Sequence, residues 1–408
     1  MVFFVSNPCR SAAEAGGGCS FKKTPLSSGA SVVLGETKLS SWESFTLLGE
    51  QKLTRALSRI AGKFSAASLN GAVFESDAAG IQAAVDYYRS AKFQQHSEDF
   101  FRPPERVPQM QISAPYPLSR GEVVDLAFPT DYQPNYQPFA AEFQRCCENK
   151  TAYLRCWRHP RGESLGTLIA IHGWMMGDSR LSAVTLVPGY FYRLGLDVLV
   201  YELPYHGRRI PSCQQQASLF PSLNFARTNE GFGQAISELR SIAKWLEQEN
   251  GKPVGVMGLS LGGYTAALWA SLDQLAFSIL ISPLVSMSEI AEVLLSVHNH
   301  VPLDLDAETL RCLSPESLSE VYAVHCPLSY APKVELKRRM ILAGVGDDIV
   351  PRTQPEEIWR HWQKPRIEWL SGGHLGQVIE AHTLRHVYDF LRELGLALDK
   401  PLEIHPLN

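Results

Sequence analysis

A mainly parallel, doubly wound α/β sheet with an N-terminal helical extension is the architecture this sequence predicts. Three observations carry the expectation. From about residue 105, short apolar runs alternate with amphipathic stretches of helical period. Several of the runs, such as residues 167–171 and 197–201, are apolar at almost every position, the pattern of strands buried on both faces. The chain has 408 residues, 45% of them hydrophobic, enough to bury a sizeable core.

The elements follow in order. Residues 1–40 are small and polar, with Gly16-Gly17-Gly18, and read as a tail. Leu53, Leu57, Ile60 and Phe64 repeat at helical spacing and predict one helix, and residues 78–93 predict a second. Pro103-Pro104 then breaks the chain, so residues 1–104 form the tail and helical extension and 105–400 the main domain. Residues 121–128 and 152–157 read as strands near a sheet edge. Buried strands are expected at 167–171, 197–201, 254–257, 277–281, 340–343 and 366–370. Helices are expected where Phe232, Ile236, Leu239, Ala243 and Leu246 share a face, over 264–271, and where Leu384, Val387, Leu391 and Leu394 recur. Strands separated by helices imply a sheet covered on both sides, with ligands beyond the carboxyl ends of the strands.

Composition narrows the function classes. The formal net charge is -4 and no long basic run occurs, so nothing marks a nucleic-acid partner. The eight cysteines include no C-x-x-C pair, and free thiols in a reducing compartment are expected. Met1-Val2-Phe3-Phe4-Val5 is too short for a signal-peptide core, and no run reaches the ~18–20 apolar residues of a membrane span. A soluble, cytoplasmic protein is the expectation, with a processed transit segment over 1–35 as the lesser alternative.

The loop after residues 254–257 reads Gly258-Leu259-Ser260-Leu261-Gly262-Gly263 and runs into an Ala- and Leu-rich helix. G-x-S-x-G between a strand and a helix is the context of a nucleophile elbow, whose sharp turn leaves no room for flanking side chains. The motif alone arises by chance on the order of 0.1 times in such a chain. A plain Gly-rich helix cap is the bland alternative. A serine hydroxyl needs a base, and the base an orienting acid. After residues 340–343 comes Gly344-Val345-Gly346-Asp347-Asp348-Ile349-Val350-Pro351; after 366–370 comes Ser371-Gly372-Gly373-His374.

These loops resemble those of the α/β-hydrolase superfamily over roughly residues 160–395. The family's G-x-x-D-x-x-V-P acid loop is matched by Gly344, Asp347, Val350 and Pro351, and its G-G-H base turn by Gly372, Gly373 and His374. The resemblance implies Ser260 as nucleophile, Asp347 as acid with Asp348 as runner-up, and His374 as base. It also implies an oxyanion hole of two backbone N–H groups. Leu261, after the nucleophile, supplies one; Trp174, in His172-Gly173-Trp174 after residues 167–171, supplies the other.

Pro204-Tyr205-His206-Gly207 resembles a P-x-H-G segment of the same superfamily, and His206 is expected to be structural. Arg208 or Arg209 could bind a substrate carboxylate or phosphate, though such arginines more often bond loop carbonyls or face solvent. Between Pro283 and Pro332 the resemblance implies a cap insertion, about 283–332, with Ile290, Val293, Leu294 and Val297 on one face. His298 and His300, at i and i+2, are a weak metal signal with no carboxylate at helical spacing, so no metal is expected.

The reading is a cofactor-free, metal-independent serine hydrolase acting on an ester, thioester or related acyl bond of a small molecule. An acyltransferase with the same three residues, and a non-catalytic binding protein on the same fold, are the alternatives. Substrate identity and oligomeric state have no readable signal.

Overall fold

The computed structural model describes residues 78–89, 92–174, 176–177, 182, 185–212, 220–222, 224–289, 314–374 and 380–402. The expected helix carrying Leu53, the cap face from Ile290 to Val297 and the His298/His300 pair lie outside them.

Ten strands form one sheet: β1 (Gln111–Ile112), β2 (Tyr116–Leu118), β3 (Gly121–Pro129), β4 (Thr151–Arg158), β5 (Gly166–Ile171), β6 (Leu196–Tyr201), β7 (Val254–Leu259), β8 (Ser278–Ile281), β9 (Arg339–Gly344) and β10 (Arg366–Leu370). The order is β1-β3-β4-β6-β5-β7-β8-β9-β10, with β2 also on β3. From β6 to β10 every pairing is parallel; β1 to β4 pair antiparallel, and β4 joins β6 antiparallel. The mainly parallel sheet expected from the buried runs is therefore present, with an antiparallel meander at one edge.

Why the inner strands are apolar at every position is visible in β5. Leu168 and Ala170 belong to one buried cluster, Ile169 and Ile171 to the other, as strand alternation requires. One cluster gathers residues from helices α1 (Ala78–Tyr88), α5 (Phe225–Glu249), α6 (Leu261–Leu272), α7 (Pro315–Tyr322) and α8 (Thr353–His361). The other gathers α4 (Pro188–Arg193) and α9 (Ala381–Glu393). Two short helices complete the set, α2 (Lys92–Gln95) and α3 (Ala140–Arg145). Helix α6 is buried along its whole length, which explains its lack of a polar face. No helix of the described residues is long and apolar enough to cross a membrane.

Residues 78–101 pack into the same core as the sheet. Ile81, Val85, Tyr88, Phe93, Phe100 and Phe101 all lie in the first cluster. The join is polar at its centre. Glu230 of α5 is buried and accepts bonds from Tyr88 Oη (2.8 Å), Tyr132 Oη (2.5 Å) and the backbone N–H groups of Asn135 (2.8 Å) and Tyr136 (3.0 Å). Burial raises the Glu230 pKa above the ordinary glutamate value against these four donors.

Cys156 and Cys326 are free thiols, but Cys147 is disulfide-bonded. The expectation of free thiols throughout is corrected there: pairing depends on which loops meet in space, and sequence spacing does not carry that.

Candidate active site

Strand β5 has β6 on one side and β7 on the other, so the chain reverses its winding direction there. Loops leaving β5 and β7 therefore flank the crevice where such sheets bind ligands. Ser260 sits at the end of β7, immediately before α6, with φ 56° and ψ −112°. A non-glycine residue rarely occupies that region, and strain of this kind persists only where surrounding contacts enforce it. Two contacts do so: Ser260 N–H donates to Ile281 O at 2.9 Å, and Tyr264 N–H donates to Ser260 O at 2.9 Å. The flanking glycines are required by closeness. A Cβ on Gly258 would lie 1.9 Å from Gly262 O, and one on Gly262 would lie 2.2 Å from Ile171 O.

The loops after β9 and β10 meet because those strands are parallel neighbours, with Gly344 beside Leu370. His374 Nδ1 lies 2.8 Å from Asp347 Oδ2 and 3.0 Å from Oδ1. Asp347 Oδ1 also accepts from the N–H groups of Ile349 (3.0 Å) and Val350 (2.9 Å). Burial raises the Asp347 pKa, but the bonds from His374 and these two amides outweigh it and hold the carboxyl below its ordinary value. Asp348, the runner-up, is exposed. The structure thus brings Asp347 and His374 together. Among the described residues no hydrogen bond joins Ser260 to His374; in unliganded sites such bonds are often long and close only around substrate.

The two expected oxyanion donors stand on either side of Ser260 in the chain of contacts. Leu261 is the first residue of α6, so its N–H has no intrahelical partner. On the other side, a Cβ on Gly173 would lie 3.5 Å from Ser260 Cβ, which puts the Gly173-Trp174 peptide beside Ser260. That peptide is held by His172, a role that its sequence position alone did not disclose. The His172 ring is fully buried, its Nδ1 is 2.8 Å from Gly173 O, and its Nε2 accepts from Leu203 N–H at 3.1 Å. One nitrogen must donate and the other accept, which is the neutral ring. Burial agrees, lowering the His172 pKa to about 4. Because C=O and N–H point oppositely across a trans peptide, fixing Gly173 O toward His172 aims Trp174 N–H the other way. The Trp174 indole Nε1 is buried with no hydrogen-bond partner among the described residues, while its ring packs against the first core cluster.

The remaining candidates resolve as supports. His206 is buried, with Nδ1 2.9 Å from Pro204 O, and burial lowers its pKa well below the ordinary value. Arg209 takes the commoner of its two expected roles and bonds loop carbonyls. Its guanidinium is fully buried and makes two 2.8 Å bonds to the Glu238 carboxylate, with further bonds to the carbonyls of Glu202 and Asn149. Arg208 bonds Glu202 through Nε at 3.0 Å and lies over the Tyr153 ring.

Sequence motifs did not announce a second buried chain behind the elbow. Tyr264 Oη is 2.7 Å from His325 Nδ1, His325 Nε2 is 2.9 Å from Asn229 Oδ1, and Asn229 Nδ2 donates to Val321 O at 2.9 Å. It ties α6 to α5 and to α7. Burial lowers the His325 pKa to about 3, so the ring is neutral.

With this geometry in place, comparison with known proteins adds the lineage. The family described as alpha/beta hydrolase domain containing 18 matches residues 150–295. Over those residues the chain is similar to α/β hydrolases. That match holds β5, β7 and Ser260; Asp347 and His374 lie beyond it. The chain is also similar to the uncharacterized protein Rv2627c of Mycobacterium tuberculosis, with 29% identity over 340 residues, 81% of this chain and 78% of that one. Among solved structures it is similar to acetyl xylan esterase 1 from Thermoanaerobacterium sp. JW/SL YS485 (15% identity, 76% of this chain, 93% of that one, TM-score 0.48). The acetyl xylan esterase from Paenibacillus sp. R4 is comparable (14%, 77%, 94%, TM-score 0.49).

Proposed function

We propose that this α/β hydrolase is a serine hydrolase that cleaves an ester, thioester or related acyl bond of a small molecule through an acyl-enzyme on Ser260. The observation that carries the proposal is the hydrogen-bonded pair of His374 and Asp347 on loops at the carboxyl edge of the sheet that also presents Ser260 on a strained turn.

In this reading Ser260 Oγ attacks the acyl carbon while His374 Nε2 takes its proton. Asp347 holds the Nδ1–H tautomer and stabilises the imidazolium. Charge on the carbonyl oxygen is met by the N–H groups of Leu261 and Trp174. His374 then protonates the leaving group, a water enters, and the steps reverse to free the acid and restore the hydroxyl. No cofactor is needed for any of these steps.

The test is labelling of the full chain by a fluorophosphonate probe, which phosphonylates an activated serine. Wild type should label and Ser260→Ala should not. Labelling that survives in Ser260→Ala sinks the assignment, and absence of labelling in folded wild type favours the binding-protein alternative. Adding alcohol or amine acceptors to a labelling-competent preparation separates hydrolysis from acyl transfer.

A further inference from the structure

We propose that His382 and His386, on the first two turns of α9, form a surface site for a divalent late transition metal with square-planar or octahedral preference, Cu2+ or Ni2+. The inference is independent of the hydrolase reading, because neither residue belongs to the site described above.

The geometry comes from helix spacing. Residues at i and i+4 lie one above the other on a helix face. Here the two rings converge until Nε2 of His382 and Nε2 of His386 are 2.9 Å apart, with ring centroids at 4.3 Å and planes at 79°. Nitrogens bind such metals at about 2.0–2.1 Å, so cis ligands at a right angle stand about 2.9 Å apart and tetrahedral ligands about 3.3 Å. The observed separation therefore suits a right-angled pair.

A carboxylate stands behind the inner ring. His386 Nδ1 is 3.3 Å from Glu368 Oε1 on β10, within ion-pair reach, and an acid at the far nitrogen is what tunes a metal-binding imidazole. With its proton on Nδ1, the side that Glu368 occupies, His386 leaves the Nε2 lone pair toward His382, and a His382 ring protonated at Nε2 donates to it. On binding, His382 moves that proton to Nδ1 by exchange with solvent, and both Nε2 lone pairs face the ion. No net proton is released from the neutral pair.

The neighbouring cations are already engaged. Arg366 Nε lies 3.1 Å from the same Glu368 oxygen, and Arg385 is paired with Asp389 at 3.2 Å. His382 is exposed and His386 half-buried, so an ion reaches them from solvent. Among the described residues no group of three or more His, Cys, Asp or Glu side chains is placed to hold a metal. The protein thus offers two ligands, and water completes the shell.

The experiment is titration of the full, untagged chain with CuCl2, followed by electron paramagnetic resonance and calorimetry above the ordinary imidazole pKa of about 6.5. Wild type should bind with nitrogen splitting from two imidazoles. His382→Asn and His386→Asn should each weaken that binding at least ten-fold and leave one coupled nitrogen. Glu368→Gln should keep both nitrogens and bind about ten-fold more weakly. The double variant His298→Asn/His300→Asn should bind as wild type does. Absence of two-nitrogen binding in wild type overturns the proposal, as does its survival in either single variant or its loss in the His298/His300 variant. Unchanged thermal melting of the variants, expected at surface positions, excludes unfolding as the cause.

Discussion

Replacing Asp347 by asparagine should cost about four orders of magnitude in acyl-transfer rate while leaving the fold in place. The reason lies in how the carboxylate is bonded. Oδ1 accepts from the backbone amides of Ile349 and Val350, so the asparagine carbonyl must occupy that position to keep both bonds. The side-chain amide nitrogen then replaces Oδ2, 2.8 Å from His374 Nδ1. It is a donor, so His374 Nδ1 must accept and the ring proton moves to Nε2. An imidazole protonated at Nε2 cannot take the Ser260 proton. A 10^4-fold loss corresponds to about 5.5 kcal/mol of barrier. The assay is the labelling rate with a fluorophosphonate and the turnover of an activated aryl acetate, with Asp348→Asn as control. Asp348 is exposed, and its variant should match wild type. The reasoning is refuted if Asp347→Asn keeps more than about a tenth of the rate, or if Asp348→Asn falls as far.

Three more outcomes follow from the buried groups. His172 and His325 have pKa values lowered by burial to about 4 and about 3, and His206 is lowered well below the ordinary value. The unfolded chain takes up protons near pH 6.5 where the fold does not, so stability should fall as pH drops from about 6.5 toward 4, by up to ~1.4 kcal/mol per pH unit for each ring. Urea midpoints across pH test this, and a flat profile contradicts it. Arg209→Met should leave Glu238 buried and uncompensated, losing about 3–5 kcal/mol and lowering Tm by on the order of 10 °C. Unchanged melting combined with weaker anion binding would support a substrate-binding role for Arg209 instead. Gly262→Ala should yield little folded protein, because its Cβ would meet Ile171 O at 2.2 Å and His172 O at 2.6 Å. Gly189→Ala, with nothing within 4 Å, should melt as wild type does.

The strands were legible because burial on both faces writes itself locally. Every residue of β5 is buried, and its sequence has no polar face to show. The elbow was legible for a similar reason: Gly258 and Gly262 answer to backbone only a few residues away and to the neighbouring strand end. Elements with mixed composition were less visible. Helices α4, α7 and α8 are six, eight and nine residues long and each carries a proline in its first turn, so they offer too few turns for a repeat to stand out.

What the sequence determined by itself was the order of buried strands, the turn that carries Ser260, and the loops in which an acid and a base should stand. Local patterning suffices for these, because strand alternation and glycine turns act over a handful of residues. Only the tertiary structure put Asp347, and not Asp348, against the His374 ring, because that contact joins residues 27 apart in the chain. It likewise showed Arg209 to be the buried partner of Glu238, and gave His172 the task of orienting the Gly173-Trp174 peptide. Ser260 began as five residues between a strand and a helix. The fold sets it in a strained turn beside that peptide, on the sheet that carries the His374–Asp347 pair, because contacts between distant segments are set by packing, which no local pattern encodes.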